Sequence, residues 1–432
     1  YLLIALESVT KVNKAAVALL MFVVCWTLFM VNPETYLPGA AGGQTAQIVG
    51  DVIEKHLGST STTLFFLMGA MTIVELVDQN GGFNFVRNTI KTGSKRLLLW
   101  RIAFMTFFLS AILDNMTTSI VMIMILRKLV QDRKDRISYA SLVIIAANSG
   151  GAFSPIGDVT TIMLWIKGCL TTPGVIREIF LPSLVSMVVP AAILQFSLKG
   201  TLTAPSAEAA EGTPGHQFSK MERNSIFCLG VGGLLFVPIF HSLTHLPPFM
   251  GILLVLGLLW TLTEVFYRRE KHRDSTMKQR VTSILRKIDM TTIIFFLGIL
   301  LAVATLQETG VLTAFGRWLN EVSNENHFLV TGIIGVASAI VDNVPLVAGC
   351  MGMYDIAPAG DFARDGIFWQ LLAYCAGVGG SMLIIGSAAG VVAMGLAKIP
   401  FGWYMKRITW IAAAGYFAGI LVYYVERVVL HL

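Results

Sequence analysis

Charge is scarce in this chain. Only 13% of its 432 residues are Asp, Glu, Lys or Arg, against about a quarter in an ordinary soluble domain. With 55% hydrophobic residues and a mean hydropathy of +0.71, the deficit excludes a soluble globular protein and implies one built for lipid. Paired cysteines are also missing: Cys25, Cys169, Cys228, Cys350 and Cys375 stand singly in or beside apolar runs, which excludes a redox or cysteine-metal motif. His241 and His245 have helical metal spacing but flank a proline-rich turn, so no zinc site is read there. A phosphate-cradling glycine loop with lysine is absent as well; Gly377-Val378-Gly379-Gly380 lies inside an apolar run. The chain is therefore no ATP-driven pump, and the reading is a carrier rather than an enzyme, without cofactor. The net charge of +6 does not indicate nucleic acid, because the basic residues sit mostly in short loops between apolar spans. Tyr1 is no initiator methionine, and no cleavable signal is expected.

What is present in quantity is apolar sequence of spanning length. Spans are read at about 15–31, 60–77, 137–168, 181–198, 225–241, 248–266, 288–307, 367–398 and 407–427. Interfacial helices are expected over 44–57, 82–93, 171–180 and 310–322. Two further stretches, 97–130 and 327–356, are interrupted by Asp114-Asn115 and by Asp342-Asn343-Val344-Pro345. Basic residues flank the first on both sides: Arg87, Lys91, Lys95, Arg96 and Arg101 before it, Arg127, Lys128, Arg133, Lys134 and Arg136 after it. A single crossing would put one cluster outside, so a re-entrant hairpin with Asp114-Asn115 at its tip is predicted. The second stretch, with only Arg317 before and Arg364 after, predicts a hairpin from the opposite side. This threading places Lys11, Lys14, the 199–224 loop and the basic 267–287 loop, with Arg268, Arg269, Lys271, Arg273, Lys278, Arg280, Arg286 and Lys287, inside.

The threading exposes an internal repeat. Phe65-Phe66-Leu67 matches Phe295-Phe296-Leu297, Gly81 matches Gly310, Asp114-Asn115 matches Asp342-Asn343, Gly150-Gly151 matches Gly379-Gly380 and Gly157-Asp158 matches Gly386-Ser387, all at offsets of 228 to 230. The fold expected is an all-α membrane protein of two inverted repeats, each with a re-entrant hairpin and a broken transmembrane helix. Its parts are an N-terminal span and interfacial segment (1–59), a first repeat (60–198), a linker with two spans and a basic loop (199–287) and a second repeat (288–432).

Ionisable groups deep in a membrane are costly and mark function. Here they are acids, Asp114, Asp158 and Asp342, with no lysine or arginine expected beside them. Neutral oxygens surround them: Asn115, Thr117, Thr118, Asn148, Ser149, Ser154, Thr160 and Thr161, then Ser338, Asn343, Ser381 and Ser387. Carboxylates, amides, hydroxyls and the carbonyls freed at helix breaks suit a hard cation. Asp114 and Asp158 also precede apolar helical runs, where an aspartate is equally a favoured N-cap, and Asp342 ahead of Pro345 is equally turn chemistry. Glu75, Asp78, Glu264 and Glu308 fall near span ends, where reaching the interface is the default.

The order Asp114-Asn115-Met116-Thr117-Thr118, Asn148-Ser149-Gly150-Gly151, Ser154-Pro155-Ile156-Gly157-Asp158-Val159-Thr160-Thr161 and Asp342-Asn343-Val344-Pro345 resembles the NhaD-type sodium/proton antiporters of the ion transporter superfamily, from about residue 15 to the C-terminus. An anion-carrying branch tends to have Ser-Asn-Thr at the hairpin tips; Asp-Asn here favours the cation branch. The resemblance implies exchange of Na⁺ or Li⁺ for H⁺, a homodimer and activity carried by Asp114, Asn115, Asn148, Asp158, Thr160 and Thr161, with Ser338 and Asn343 as second-half partners. Sodium is expected at Asp114, Asn115, Asp158 and Asn343, in a multi-pass protein of a bacterial inner membrane. The competing reading is a Na⁺-coupled carrier of a small anion, a dicarboxylate or oxyanion.

Overall fold

The computed structural model describes residues 12–36, 45–82, 89–90, 92–198, 200–201, 219–270, 284–286 and 288–430. Most of the 199–224 linker, the basic 267–287 loop and the 82–93 segment lies outside them, as do Lys11, Arg87, Lys91, Lys271, Arg273, Lys278, Arg280, Lys287 and the side chains of Lys128, Arg268 and Arg269. Among the described residues the chain is helical, with isolated bridges and no strand.

Helix α1 (Lys14–Phe29) starts at Asn13, whose side chain accepts from the Ala15 N–H at 2.8 Å. Helix α2 (Thr45–Gln79) is continuous over 35 residues. The separate interfacial helix expected at 44–57 is thus the first part of a longer rod. Nothing between 45 and 79 stops it: the stretch has no proline, and a single glycine such as Gly58 costs a helix interior only about 1 kcal/mol. The first repeat continues with α3 (Lys95–Leu113) and α4 (Asn115–Leu129), which pack on each other and on α5 (Arg133–Ala152), then α6 (Val159–Lys167) and α7 (Thr172–Leu194). The segment 171–180, expected as an interfacial helix, also proves to be the start of a long one. Pro173 sits in its first turn, where a missing N–H is harmless.

Helices α8 (Lys220–Thr244) and α9 (Pro248–Glu270) pack against α2. The second repeat then runs through α10 (Met290–Glu308), α11 (Val311–Val322), α12 (His327–Ser338), α13 (Asn343–Met353), α14 (Ile367–Gly379), α15 (Ala388–Ala397), α16 (Phe401–Arg407) and α17 (Thr409–Tyr424). Helix α11 is amphipathic: Val311, Phe315, Trp318 and Val322 form one exposed stripe, while Leu312 and Gly316 turn inward. Seven of the described helices are long and apolar enough to span a membrane, or eight if α15 and α16, bent by 117°, count as one.

The two repeats share contacts as well as order. Ser110 Oγ, on α3, donates to the Ala147 carbonyl of α5 at 2.6 Å, and Ser338 Oγ, on α12, donates to the Ala376 carbonyl of α14 at 2.8 Å. A Cβ at Gly150 would collide with the Phe107 carbonyl; one at Gly379 would collide with the Gly335 carbonyl. A Cβ at Gly157 would stand 2.8 Å from the Ser110 carbonyl oxygen, and one at Gly386 2.7 Å from that of Ser338. Small residues let backbones cross this closely in lipid, where packing and hydrogen bonds replace the hydrophobic effect between helices.

Because the obstructing atoms are backbone, they cannot rotate away. Gly150→Ala and Gly379→Ala should each destabilise the protein by about 1–3 kcal/mol, the usual cost of overpacking, whereas Gly402→Ala, with open space around it, should not. Thermal unfolding in detergent reads the difference; equal midpoints for the three variants would refute the close crossing.

Candidate ion-binding site

Helices α4, α6, α13 and α15 begin at one buried locus, just after the four interruptions of the chain. Each N-terminus carries unsatisfied N–H groups and a partial positive charge. Asp114, Asp158, Asp342 and Ser387 stand at the four starts.

Asp114 occupies the tip between α3 and α4 with φ 81° and ψ 156°, a backbone conformation rare for any residue but glycine. Its carboxylate accepts from the Thr117 N–H at 2.8 Å and from Thr117 Oγ1 at 2.7 Å. The capping alternative is therefore real for Asp114. Asp158 likewise stands at a helix start, with the Thr160 N–H and hydroxyl beside its carboxylate, in a looser arrangement than the Asp114 cap. Asp158 is 2% exposed, and its Oδ2 accepts from Asn343 Nδ2 at 3.3 Å across the two repeats. Asp114 and Asp342 are near enough for their charges to be felt at Asp158. Among the described residues neither Asp114 nor Asp158 forms an ion pair.

Asn148, fully buried on α5, is the second link between the repeats. Its Oδ1 accepts from Asn115 Nδ2 at 3.1 Å, and its Nδ2 donates to Ser381 Oγ and Ser387 Oγ, each at 2.9 Å. Thr118 and Thr161 are buried with hydroxyls that find no hydrogen-bond partner among the described residues, and the buried Thr160 hydroxyl lies beside the Asp158 carboxylate. Buried orphan oxygens are expensive unless something uses them. Two predicted residues are engaged elsewhere: Ser338 clamps the second hairpin to α14, and Ser154 Oγ accepts from the Ile156 N–H at 3.4 Å within the break itself. A cavity of about 60 Å³ opens beside the first tip, lined by Asp114, Asn115, Met116, Ile156, Val159 and Thr292 among otherwise apolar side chains. Its lining holds a carboxylate and no lysine or arginine.

Asp342 departs from expectation. It does have a basic neighbour: Lys14 Nζ, from α1, lies 2.6 Å from its Oδ2 and 4.5 Å from the Phe295 ring centroid. Sequence reading placed Lys14 on the inner side just ahead of the span read at about 15–31, but it is the first residue of a helix that packs along α10 and so reaches the second tip. Gly377 was missed as well. A Cβ there would lie 3.3 Å from Asp158 Oδ2, so a side chain at this position would press directly on the carboxylate. The repeat offset of 229 carries Asn148 onto Gly377 and would have found it.

A sequence profile of the citrate transporter family, CitMHS, matches residues 1–374. The chain belongs to this family. It is a multi-pass membrane transporter by family and by its spanning helices. Among individual relatives, Sodium/proton antiporter 1 of Arabidopsis thaliana is 43% identical over 97% of this chain and 69% of that protein, and Sodium/proton antiporter 2 of the same plant is 42% identical over 98% and 96%. The Na(+)/H(+) antiporter NhaD of Alkalimonas amylolytica is 32% identical over 83% of this chain and 76% of that protein, so the NhaD-type resemblance extends well beyond the motifs. The solved YdaH transporter of Alcanivorax borkumensis superposes with a TM-score of 0.64 at 11% identity, covering 96% of this chain and 98% of that one. At that identity the likeness is one of fold.

Removing one partner of a poorly hydrated ion pair strands the other. Lys14→Met should lower stability by about 1–3 kcal/mol, and adding Asp342→Asn should recover most of the loss. A Lys14→Met/Asp342→Asn protein melting no higher in detergent than Lys14→Met alone would contradict the pairing.

Proposed function

We propose that the protein exchanges Na⁺, or Li⁺, for H⁺ by secondary active transport, with Asp114 and Asp158 binding cation and proton in competition. The observation that carries this reading is a set of oxygen ligands around two carboxylates that lack a fixed counter-ion. Hard cations prefer such oxygens, and they are completed here by residues of both repeats, Asn148 from the first and Asn343, Ser381 and Ser387 from the second. The antiporter names of the plant and bacterial relatives support it further. The halves are taken as inverted, and alternating access as a rearrangement between them. Rearrangement is easy only when the carboxylates are neutralised, by a cation or by protons, so the two ligands exchange and neither flows alone.

In this scheme Thr118, Thr160 and Thr161 supply hydroxyl oxygens, Asn115 and Asn343 amide oxygens, and Thr117 holds the Asp114 carboxylate in place. Asp342 takes no mobile cation while Lys14 occupies it. A homodimer is proposed as the working unit. A bacterial inner membrane was expected from the sequence; the greater identity to the Arabidopsis proteins than to the bacterial one favours a membrane of plant lineage instead.

The second reading, Na⁺-coupled uptake of a small anion, draws on the family's citrate transporter description and on the four helix N-termini that converge on the site. The aspartates at three of those starts count against it, because they already occupy the positive ends. In proteoliposomes with an imposed pH gradient, Asp158→Asn and Asp114→Asn should each reduce Na⁺-dependent proton flux at least tenfold, with citrate without effect on Na⁺ entry. Wild-type flux in Asp158→Asn would reject the assignment, and citrate-dependent Na⁺ uptake would establish the second reading.

A further inference from the structure

Helices α4 and α15 pack side by side, one from each repeat. Both start at the ion site, at Asp114 and Ser387, and both run to a second cavity at their far ends. This cavity has a volume of about 350 Å³ and is lined by Arg127, Arg133, Arg136, Leu396, Ala397 and Lys398. Arg127 belongs to the last turn of α4, Arg133 and Arg136 to the first turns of α5, and Lys398 to the sharp bend between α15 and α16, held in the left-handed region at φ 50°.

The nearby acids are engaged elsewhere. Asp132 caps α5, accepting from the Asp135 N–H at 2.9 Å, and Asp135 pairs with Lys95 at 2.6 Å. Among the described residues none of the four cations forms an ion pair; Arg136 Nη1 donates to the Val130 carbonyl at 3.3 Å. Helix-dipole compensation accounts for Arg127 and Lys398 at helix C-termini but not for Arg133 and Arg136, since cations are disfavoured at a helix N-terminus. The positive-inside tendency accounts for their side of the membrane but not for their convergence on one cavity.

We propose that this cavity binds a phosphate group, presented by an anionic phospholipid or by a soluble phosphate, and that the bound phosphate fastens α4 and α5 of the first repeat to α15 of the second. Guanidinium groups match phosphate oxygens in pairs, and basic pockets between membrane helices on the cytoplasmic side are suited to lipid headgroups. The site is separate from the ion site and does not depend on which ion is carried.

The test uses the purified full chain in detergent and reads its thermal unfolding midpoint against two probes at matched ionic strength: micelles doped with phosphatidylglycerol or, as control, phosphatidylcholine, and inorganic phosphate against chloride. Stabilisation by phosphatidylglycerol alone assigns the site to a lipid headgroup; stabilisation by inorganic phosphate without a lipid preference assigns it to a soluble phosphate. Arg133→Ala and Lys398→Ala, made singly so that loss of folding in one leaves the other, should each weaken the half-saturating concentration at least tenfold. Arg133→Lys should retain part of the response, and Arg317→Ala on the exposed face of α11 all of it. A wild-type chain indifferent to both probes, or Arg133→Ala and Lys398→Ala responding like the wild type, would overturn the proposal.

Discussion

Opening a helix inside a membrane leaves N–H and C=O groups where no water can reach them, and the fold is organised around satisfying those groups from within. Both hairpins and both broken helices meet this constraint in the same way. A serine hydroxyl on the hairpin arm closes onto a carbonyl of the broken helix, and glycines let the two backbones cross without side chains between them. Side-chain oxygens then take over at the helix starts, Asp114 for the Thr117 N–H and Ser387 for the Gly390 N–H at 3.2 Å. The proposed ion site is what lies between these crossings. Its polar groups could not be there if the surrounding backbone were not already satisfied.

The two tips and the two breaks form comparable loci, which their residues make unequal. The first repeat supplies Asp158 and Asn148; their counterparts in the second are Ser387 and Gly377. Asp114 has only hydroxyl and amide partners, while its counterpart Asp342 is neutralised by Lys14. One half therefore keeps acids without fixed cations, and the other keeps hydroxyls, bare backbone and an ion pair. The asymmetry leaves the acids without fixed cations on one side of the centre, where the proposed exchange would take place.

Much of this was legible in the chain itself. Asp-Asn tips, the Ser154-Pro155-Ile156-Gly157 break and the glycine pairs are local chemistry, because each states its own backbone conformation, and the near-constant offset ties them in pairs. The residues around Asn148 were nameable for the same reason, although which serine met which amide was not. What stayed hidden depends on packing between distant helices. No pattern near Lys14 says that α1 lies along α10 and delivers an ammonium group to residue 342. Helix lengths were hidden for a different reason. The polar run Asp51, Glu54, Lys55, His56 looks like a surface segment, yet polarity does not end a helix, and His56 instead reaches Glu308 at 2.8 Å.

The amide of Asn148 has direction: its carbonyl end faces the first hairpin and its amino end faces two serines of the other repeat. Serine hydroxyls and the Asn115 amide can each serve as donor or acceptor. Turning Asn148 end for end would therefore keep every bond only if the Asn115 amide turned with it and both serine hydroxyls became donors. The polarity of this seam is thus held jointly by side chains of the two halves, and neither half can reverse it alone.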